Sequence, residues 1–255
     1  MFLAVDVGNT NIKYGIFDGE TLVCFMSAAT DRKLTSDQRA AQLKTLLSLH
    51  DVRLSDITAA GISCVVADIT ASMCAGIRLL LGIETMIVGP GAGDGVCMEG
   101  TDAPALGADL VCAAAVVIDE YPKPCVVFTL GTATTAMAIG ENGDILGGLI
   151  IPGAVTSLKA LSREASALPS VDLSPPKSFF SSRTEEAMRA GTVYGTAAML
   201  DGLAARFKEE LGSCSFVLSG GLNHIFAPFI HFDCVLDDYI VLKGVLKIFQ
   251  KNSDI

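Results

Sequence analysis

The sequence has 255 residues, which is enough for one large domain or two modest ones. Apolar residues make up 51% of the chain and charged residues only 18%. This balance excludes a disordered chain and favours an α/β protein whose sheets are covered on both faces. The net charge of −10 provides no basic surface for nucleic acid or an anionic membrane, so we expect small-molecule partners.

The cysteines and the first residues bear on the cellular compartment. Eight cysteines are scattered without a Cys-x-x-Cys pair, which indicates neither a zinc site nor a disulfide framework. Met1, Phe2 and Leu3 open directly into an apolar strand instead of a basic and then apolar leader. No apolar run reaches the roughly 18 residues of a membrane span. We therefore expect a cytoplasmic protein that has no membrane segment.

The first half begins with a strand, a small-residue turn and a second strand. Phe2 to Val7 and Ile12 to Phe17 flank Gly8-Asn9-Thr10-Asn11 and form a predicted hairpin, which a strand from Thr21 to Ser27 extends. The further predicted elements are a helix from Asp37 to Leu49 capped by Ser36, strands Ala59 to Val66 and Thr85 to Val88, and helices Ile69 to Leu81 and Ala108 to Glu120.

The same pattern begins again at residue 125. Strand Cys125 to Leu130, turn Gly131 to Thr135 and strand Ala136 to Ile139 repeat the opening hairpin. The later predicted elements are a strand Asp144 to Ile151, helices Ala154 to Ala165 and Thr184 to Lys208, a mobile loop Leu173 to Phe180, and a strand Ser215 to Leu218. The repetition predicts two similar domains, 1–112 and 113–255, that face each other across a cleft.

The first turn has residue types that suit a nucleotide phosphate. Gly8 lets the backbone approach a phosphate closely, Asn9 and Thr10 supply neutral donors, and Asp6 at the strand end is a candidate ligand for hydrated Mg²⁺. The alternative is an ordinary hairpin turn with an asparagine in it.

The second turn has similar chemistry without a charge. Gly131 to Thr135 offers backbone amides and the hydroxyls of Thr132, Thr134 and Thr135, which suit a polyanion once a metal supplies positive charge. The alternative is a threonine-rich β-turn. The pair Gly220-Gly221, which follows a strand, leaves bare backbone against which adenine or ribose is expected to lie.

Several motifs occur in order and together resemble one known family. They are Asp-x-Gly-Asn-Thr-Asn from Asp6, Gly-Pro-Gly from Gly89, Gly-Ala-Asp from Gly107, Gly-Thr-Ala-Thr-Thr from Gly131, Gly-Gly-x-Ile-x-Pro-Gly from Gly147 and Gly-Gly-Leu from Gly220. The arrangement resembles type III pantothenate kinases over nearly all of the chain.

The resemblance implies a fold, an activity and a set of site residues. The fold is an α/β pair of duplicated ribonuclease H-like domains of the actin-like ATPase superfamily, with ATP in the cleft between them. The activity is transfer of the ATP γ-phosphate to the primary hydroxyl of pantothenate, the first step to coenzyme A, by a homodimer that uses Mg²⁺. Asp109 occupies the position of the catalytic base. The implied acceptor-site residues are Gly91, Asp94, Gly107, Leu110 and Thr184.

Three departures from the family pattern concern charge. Leu110 stands where the family has arginine after the catalytic aspartate, and Gly93-Asp94 stands in place of a Lys-Thr pair. Because an arginine fork binds a carboxylate such as that of pantothenate, we expect selectivity to shift toward a neutral or cationic alcohol. Thr129 replaces the aspartate that holds K⁺ in the family, so the K⁺ requirement is predicted to be weak or absent.

Two alternatives stay open from the sequence. The chain is an ATP-dependent small-molecule kinase or a noncatalytic, nucleotide-binding regulatory paralogue. A base such as Asp109 has no use in a protein that only binds, which favours the kinase. Lys13 lies beside the first turn and either reaches ATP or belongs to a solvated strand face. The three histidines share no motif and receive no catalytic role.

Overall fold

A computed structural model describes residues 1–89 and 106–253. Before residue 121 the strands are β1 Phe2–Val7, β2 Asn11–Asp18, β3 Thr21–Ala29, β4 Ala59–Cys64 and β5 Thr85–Ile87, and the α-helices are α1 Ser36–Leu49, α2 Ala67–Leu81 and α3 Ala108–Glu120. After it the strands are β6 Cys125–Leu130, β7 Ala133–Ile139, β8 Ile145–Pro152, β9 Ser215–Ser219 and β10 Val235–Leu236, and the α-helices are α4 Ala154–Glu164, α5 Thr184–Leu211, α6 Asn223–Phe226 and α7 Ile240–Ser253. Single 3₁₀ turns lie at Leu54–Asp56 and Ala227–Phe229.

The strands form two five-stranded sheets with the same topology. The first sheet has the order β3-β2-β1-β4-β5 and the second has the order β8-β7-β6-β9-β10. In each sheet the first three strands are antiparallel, and the last two run parallel to the central strand. The predicted repetition is therefore confirmed, and β1 and β6 are equivalent strands.

The described residues divide into two compact units. One contains residues 1–89, 106–119 and 239–253, and the other contains residues 120–238. The predicted boundary after residue 112 falls inside α3, and the last helix belongs with the first unit instead of the second. Leu242, Val245 and Ile248 of α7 pack with Phe2 and with the buried face of α3. This long-range packing leaves no local sign in the sequence.

The first sheet is covered on both faces within its own unit. Val5 and Ile62 pack with α1 and α2, whereas Phe2 and Ala4 pack with α3 and α7. Successive residues of β1 thus point to opposite faces, as strand geometry requires. Asp6 follows Ala4 in this alternation and projects to the face covered by α3.

Helix α1 begins one residue earlier than predicted, because its N-cap is Thr35 and not Ser36. The Thr35 hydroxyl accepts a hydrogen bond from the Gln38 amide at 3.4 Å, and the Gln38 side chain accepts one from the Thr35 amide at 2.9 Å. This reciprocal pair is a capping box, which needs a glutamine or glutamate three residues after the cap. Thr35 has that partner at Gln38.

In the second unit one face of the sheet packs on α5. Val126, Phe128, Phe216 and Leu218 lie in one core cluster with Val193, Leu200 and Ala204. The segment predicted to be a mobile loop, Leu173 to Phe180, has no regular structure. Its neighbour Asp172 accepts a hydrogen bond from Arg189 of α5 at 2.6 Å. The mobility of this segment stays a prediction.

Candidate functional site

The first turn, residues 8–10, joins β1 to β2 as predicted. The Gly8 amide donates to the Asn11 carbonyl oxygen at 3.0 Å, which closes the turn. A Cβ atom on Gly8 would lie 3.1 Å from that same oxygen, so glycine keeps the turn tight. Asn9 and Thr10 are exposed.

Residues 30–32, which follow β3, hold the first turn from one side. Thr30 donates its hydroxyl to the Gly8 carbonyl oxygen at 2.7 Å and its amide to the Thr10 carbonyl oxygen at 2.9 Å. Arg32 Nη2 donates to Asn9 Oδ1 at 3.1 Å. Because a guanidinium has only donors, this contact fixes the orientation of the Asn9 amide and leaves its NH₂ group pointing elsewhere. Sequence reasoning missed Thr30 and Arg32, which lie about twenty residues from the turn.

Three side chains cross the first sheet in one row, the acidic row: Lys13, Asp6 and Ser63. Asp6 is paired with Lys13 on β2 and with Ser63 on β4, and directly paired residues project to the same face. Asp6 is only 9% exposed and Ser63 is fully buried. Burial raises the pKa of Asp6 to about 7; Lys13 opposes this rise and Asp109 adds to it. Asp6 and Asp109 are therefore close enough to repel each other.

Asp109 lies in the first turn of α3, on the face of the sheet that holds Asp6. Its Oδ1 accepts a hydrogen bond from the Leu110 amide at 3.0 Å. Burial raises the pKa of Asp109, and hydrogen bonds from the backbone amides of Leu110 and Asp109 partly offset this rise. A Cβ atom on Gly107 would lie 2.5 Å from Asp109 Oδ1. Glycine at 107 therefore makes room for the carboxylate.

The second turn is shorter than predicted, because β7 begins at Ala133 and only Gly131 and Thr132 lie outside the strands. The Gly131 amide donates to the Ala133 carbonyl oxygen at 3.0 Å. Thr134 and Thr135 are strand residues, and they project to opposite faces of β7. Thr134 is buried and paired with Leu130, so the two hydroxyls do not line one surface.

The start of α4 holds the second turn as residues 30–32 hold the first. The Thr132 carbonyl oxygen accepts hydrogen bonds from the Gly153 amide at 3.1 Å and from the Thr156 hydroxyl at 2.7 Å. A Cβ atom on Gly153 would lie 2.2 Å from the Gly131 carbonyl oxygen. Gly153 follows β8 as Thr30 follows β3, so this contact is also duplicated.

The glycine pair after β9 lies against the end of β6. Gly220 has a φ of +98°, and a Cβ atom there would lie 2.3 Å from the Leu130 carbonyl oxygen. Any side chain at 220 would force this contact apart. A Cβ atom on Gly221 would meet nothing within 4 Å, and the contact of this residue with a nucleotide stays a prediction.

The row of the second sheet that corresponds to the acidic row contains only hydroxyl groups. Thr129 is paired with Thr135 on β7 and with Ser219 on β9, and we call these three residues the hydroxyl row. Thr129 is the equivalent of Asp6, because each is the second-last residue of the central strand. The repeated fold therefore has an acid at this position in one half and a neutral group in the other.

The predicted acceptor-site residues are divided among several places. Gly107 and Leu110 flank Asp109 in the first unit, and Gly91 and Asp94 lie outside the described residues. Thr184 is the first residue of α5 in the second unit. It lines an open cavity of about 340 Å³ together with Ala167, Pro169, Arg183 and Glu185.

The residues present fit a divalent cation bound partly through nucleotide and water. No group of three or more His, Cys, Asp or Glu side chains that could hold a metal occurs among residues 1–89 and 106–253. Mg²⁺ does not need such a cage, because it typically takes one or two carboxylates, several waters and substrate phosphates. Asp6, beside the first turn, is the candidate ligand.

In the described part of the chain no helix is long and apolar enough to cross a membrane.

Two solved structures show which known fold this chain has. A Campylobacter jejuni protein described as a Baf family transcriptional activator has a TM-score of 0.60 at 19% identity, over 99% of this chain and 100% of that one. The activator of 2-hydroxyisocaproyl-CoA dehydratase from Clostridium difficile, solved with bound ADPNP, has a TM-score of 0.55 at 15% identity, over 99% and 96%. The fold is that of the actin-like ATPases.

Sequence comparison then gives the family. The family described as type III pantothenate kinase matches residues 2–206. The type III pantothenate kinases of Syntrophus aciditrophicus and Shouchella clausii are each 35% identical to this chain, over 99% of it and all of their own length. The chain belongs to the type III pantothenate kinase family, and it is an ATP-dependent kinase.

Asp6→Asn should make the metal-free protein more stable at high pH. Because folding raises the pKa of Asp6 from 3.8 to about 7, the carboxylate lowers stability progressively as the pH rises from about 4 to 7, and the loss persists above 7. We expect the unfolding temperature of Asp6→Asn to exceed that of the wild type by several degrees at pH 8 and to match it near pH 4. Thermal unfolding in EDTA measures both values.

The control for this experiment is Asp18→Asn, which changes an exposed carboxylate at the end of the same hairpin. Its effect should be small at both pH values. An equal effect of Asp6→Asn at pH 4 and pH 8 would show that burial does not penalise the Asp6 charge.

Proposed function

We propose that this chain transfers the γ-phosphate of ATP to the primary hydroxyl of pantothenate, with weak selectivity for the pantothenate carboxylate. The observation that carries the proposal is a pair of carboxylates on one face of the first sheet, of which Asp6 is buried and Asp109 half-buried. Asp6 stands beside a glycine turn and Asp109 at the start of α3. A cation ligand and a base next to a phosphate-binding turn are the parts that phosphoryl transfer needs.

The first turn supports ATP binding through its donors. The carbonyl oxygens of Gly8 and Thr10 and the amide oxygen of Asn9 are engaged by Thr30 and Arg32. The NH₂ group of Asn9 is exposed and oriented away from Arg32, where it can donate to a phosphate oxygen. Asp6 would hold Mg²⁺, which when bound neutralises charge on the phosphates. Lys13 beside Asp6 adds a positive charge to the same face.

Asp109 would accept the proton of the acceptor hydroxyl. A general base works best when its pKa lies nearer the working pH, and burial raises the pKa of Asp109 in that direction. The Leu110 amide donates to Oδ1 at 3.0 Å and so holds the carboxylate in place. The step moves the hydroxyl proton to Asp109 as the oxygen bonds to the γ-phosphorus and ADP leaves.

Leu110 supports the weak selectivity. The family resemblance places an arginine at this position, whose fork would bind the acceptor carboxylate bidentately. Loss of one partner of such a buried pair costs about 2–5 kcal/mol of binding. Leu110 is half-buried next to Asp109 and has no polar atom in its side chain.

The experiment that tests the proposal compares pantothenate with its neutral analogue, in which the carboxylate is reduced to a hydroxymethyl group. We expect Mg-ATP turnover, measured as ADP release, with kcat/KM values for the two acceptors within about tenfold of each other. Asp109→Asn should lose on the order of 10²- to 10⁴-fold in kcat with both acceptors and retain binding of a nonhydrolysable ATP analogue.

Three further results decide the outcome. Leu110→Arg should shift the preference toward pantothenate, because it restores the fork. A wild-type preference for pantothenate above a thousandfold would contradict the weak selectivity. ATP binding without turnover on either acceptor would instead favour the noncatalytic regulatory alternative.

The hydroxyl row supports activity without K⁺. Thr129, Thr135 and Ser219 provide no carboxylate, and hydroxyl oxygens are weaker ligands for a monovalent cation than a carboxylate is. We expect equal rates in K⁺ and in tetramethylammonium. Thr129→Asp should make the rate depend on K⁺, and Thr134→Val, which changes the buried threonine on the other face, serves as the control. A strict K⁺ requirement in the wild type would refute this prediction.

The edge strand β8 supports a homodimer. Leu146, Leu149 and Ile150 are exposed on this strand, with Ile150 80% exposed, and an apolar edge of this kind is typical of an interface. Ile150→Lys should shift the protein from dimer to monomer in sedimentation equilibrium, whereas Leu49→Lys, at an isolated exposed leucine of α1, should not. A monomeric wild type would contradict the proposal.

A further inference from the structure

Ser63 has a buried hydroxyl group that makes no hydrogen bond within residues 1–89 and 106–253. The residue is fully buried, and its Oγ atom has no partner. Buried hydroxyls nearly always have one, because water can no longer satisfy them. A hydrogen bond that forms only when a ligand binds nearby would explain why a serine occupies this position in an otherwise apolar strand.

The surroundings of Ser63 indicate which ligand this is. Ser63 is directly paired with Asp6 on the adjacent parallel strand and projects to the same face of the sheet. The turn that carries Asp109 lies over the end of β4, since a Cβ atom on Gly107 would lie 3.7 Å from Val65 Cγ1. The Asp6 carboxylate therefore lies beside Ser63 on one face of the sheet, and the residues that lead into Asp109 pass the end of the same strand.

We propose that Ser63 is a positioning residue for the divalent cation. When the cation and ATP bind, the Ser63 hydroxyl donates a hydrogen bond to the Asp6 carboxylate and holds one of its oxygens in place as a cation ligand. This inference rests on the proposed function, because it assumes that Asp6 holds the cation of the nucleotide complex.

The same hydroxyl can be removed without disturbing the Asp6 backbone. Ser63→Ala deletes only Oγ, which has no hydrogen bond to lose in the metal-free protein. The metal-free variant should therefore be as stable as the wild type or more stable. Its cation affinity should fall, since Asp6 loses a donor. Opposite effects on stability and affinity separate a positioning role from a structural one.

The test is calorimetric titration with the nonhydrolysable ATP analogue AMPPNP, with Mg²⁺ and with EDTA. We expect Ser63→Ala to bind Mg-AMPPNP about tenfold more weakly than the wild type, the loss typical of one hydrogen bond to a charged group. In EDTA the two proteins should bind AMPPNP equally. Ser63→Cys keeps the volume but offers only a weak donor, so it should show the same loss and serves if Ser63→Ala does not fold.

Thr85→Val is the matched control. Thr85 Oγ1 is also buried without a partner in the described structure. Thr85 is paired with Ala60, whose side chain belongs to the core on the α1 and α2 face. This hydroxyl therefore lies on the face opposite to Asp6. Its removal should leave Mg-AMPPNP affinity unchanged and should not lower the unfolding temperature.

Four results would overturn the inference. Equal Mg-AMPPNP affinities of wild type and Ser63→Ala would show that the hydroxyl has no role. A loss of the same size with and without Mg²⁺, or a lower unfolding temperature of the metal-free variant, would show a structural role. A wild type that does not bind Mg-AMPPNP at all would overturn the proposed function as well, which distinguishes the two failures.

Discussion

The burial of the Asp6 carboxylate is the constraint on which the rest of the first unit depends. Strand β1 runs through the centre of its sheet, and Asp6 is the penultimate residue of that strand. Ionising a carboxyl there is costly, so its pKa lies near 7. Around it lie a lysine, a glycine turn and a serine hydroxyl that has no hydrogen-bond partner among residues 1–89 and 106–253. In our account, a divalent cation with its nucleotide offsets the cost of the buried charge.

The repeated fold shows what has changed between the two halves. Each half has a central strand, a short glycine turn and a following segment whose backbone amide donates to the turn. Asp6 in the first half corresponds to Thr129 in the second. One half therefore offers a charged ligand and the other offers only hydroxyl groups. We attribute cation binding to the first half.

Much of this architecture could be predicted from local patterns. Apolar runs on both sides of the turns at Gly8 and Gly131 predict both hairpins, and the repetition of this pattern predicts the two-sheet fold. Asp109 could be placed only through the family motif, because an aspartate in the first turn of a helix is common for electrostatic reasons alone. Leu110, its neighbour, stood out because the same motif expects an arginine there.

Other features depend on tertiary contacts that the sequence does not show. Thr30 and Arg32 reach the first turn because β3 pairs with β2, a contact set by register. The Gly131 turn is shorter than the sequence predicts. Thr134 and Thr135 are of a residue type that is common in turns, but their backbones pair with β8 and they belong to strand β7. Ser63 is an inconspicuous serine in an apolar run, and only its burial beside Asp6 makes it a candidate. Helix α7 returns to the first unit through apolar packing that no motif marks.

The most direct test of this account is the position of the cation in crystals grown with Mn²⁺ and AMPPNP. Anomalous diffraction locates Mn²⁺ without reference to a model of the ligand. We expect one strong peak within about 2.0–2.6 Å of an Asp6 carboxylate oxygen, the range of metal–oxygen bonds for such cations. A peak beside Thr129, or bound AMPPNP with no Mn²⁺ near Asp6, would contradict the claim that the buried carboxylate of the first half holds the cation.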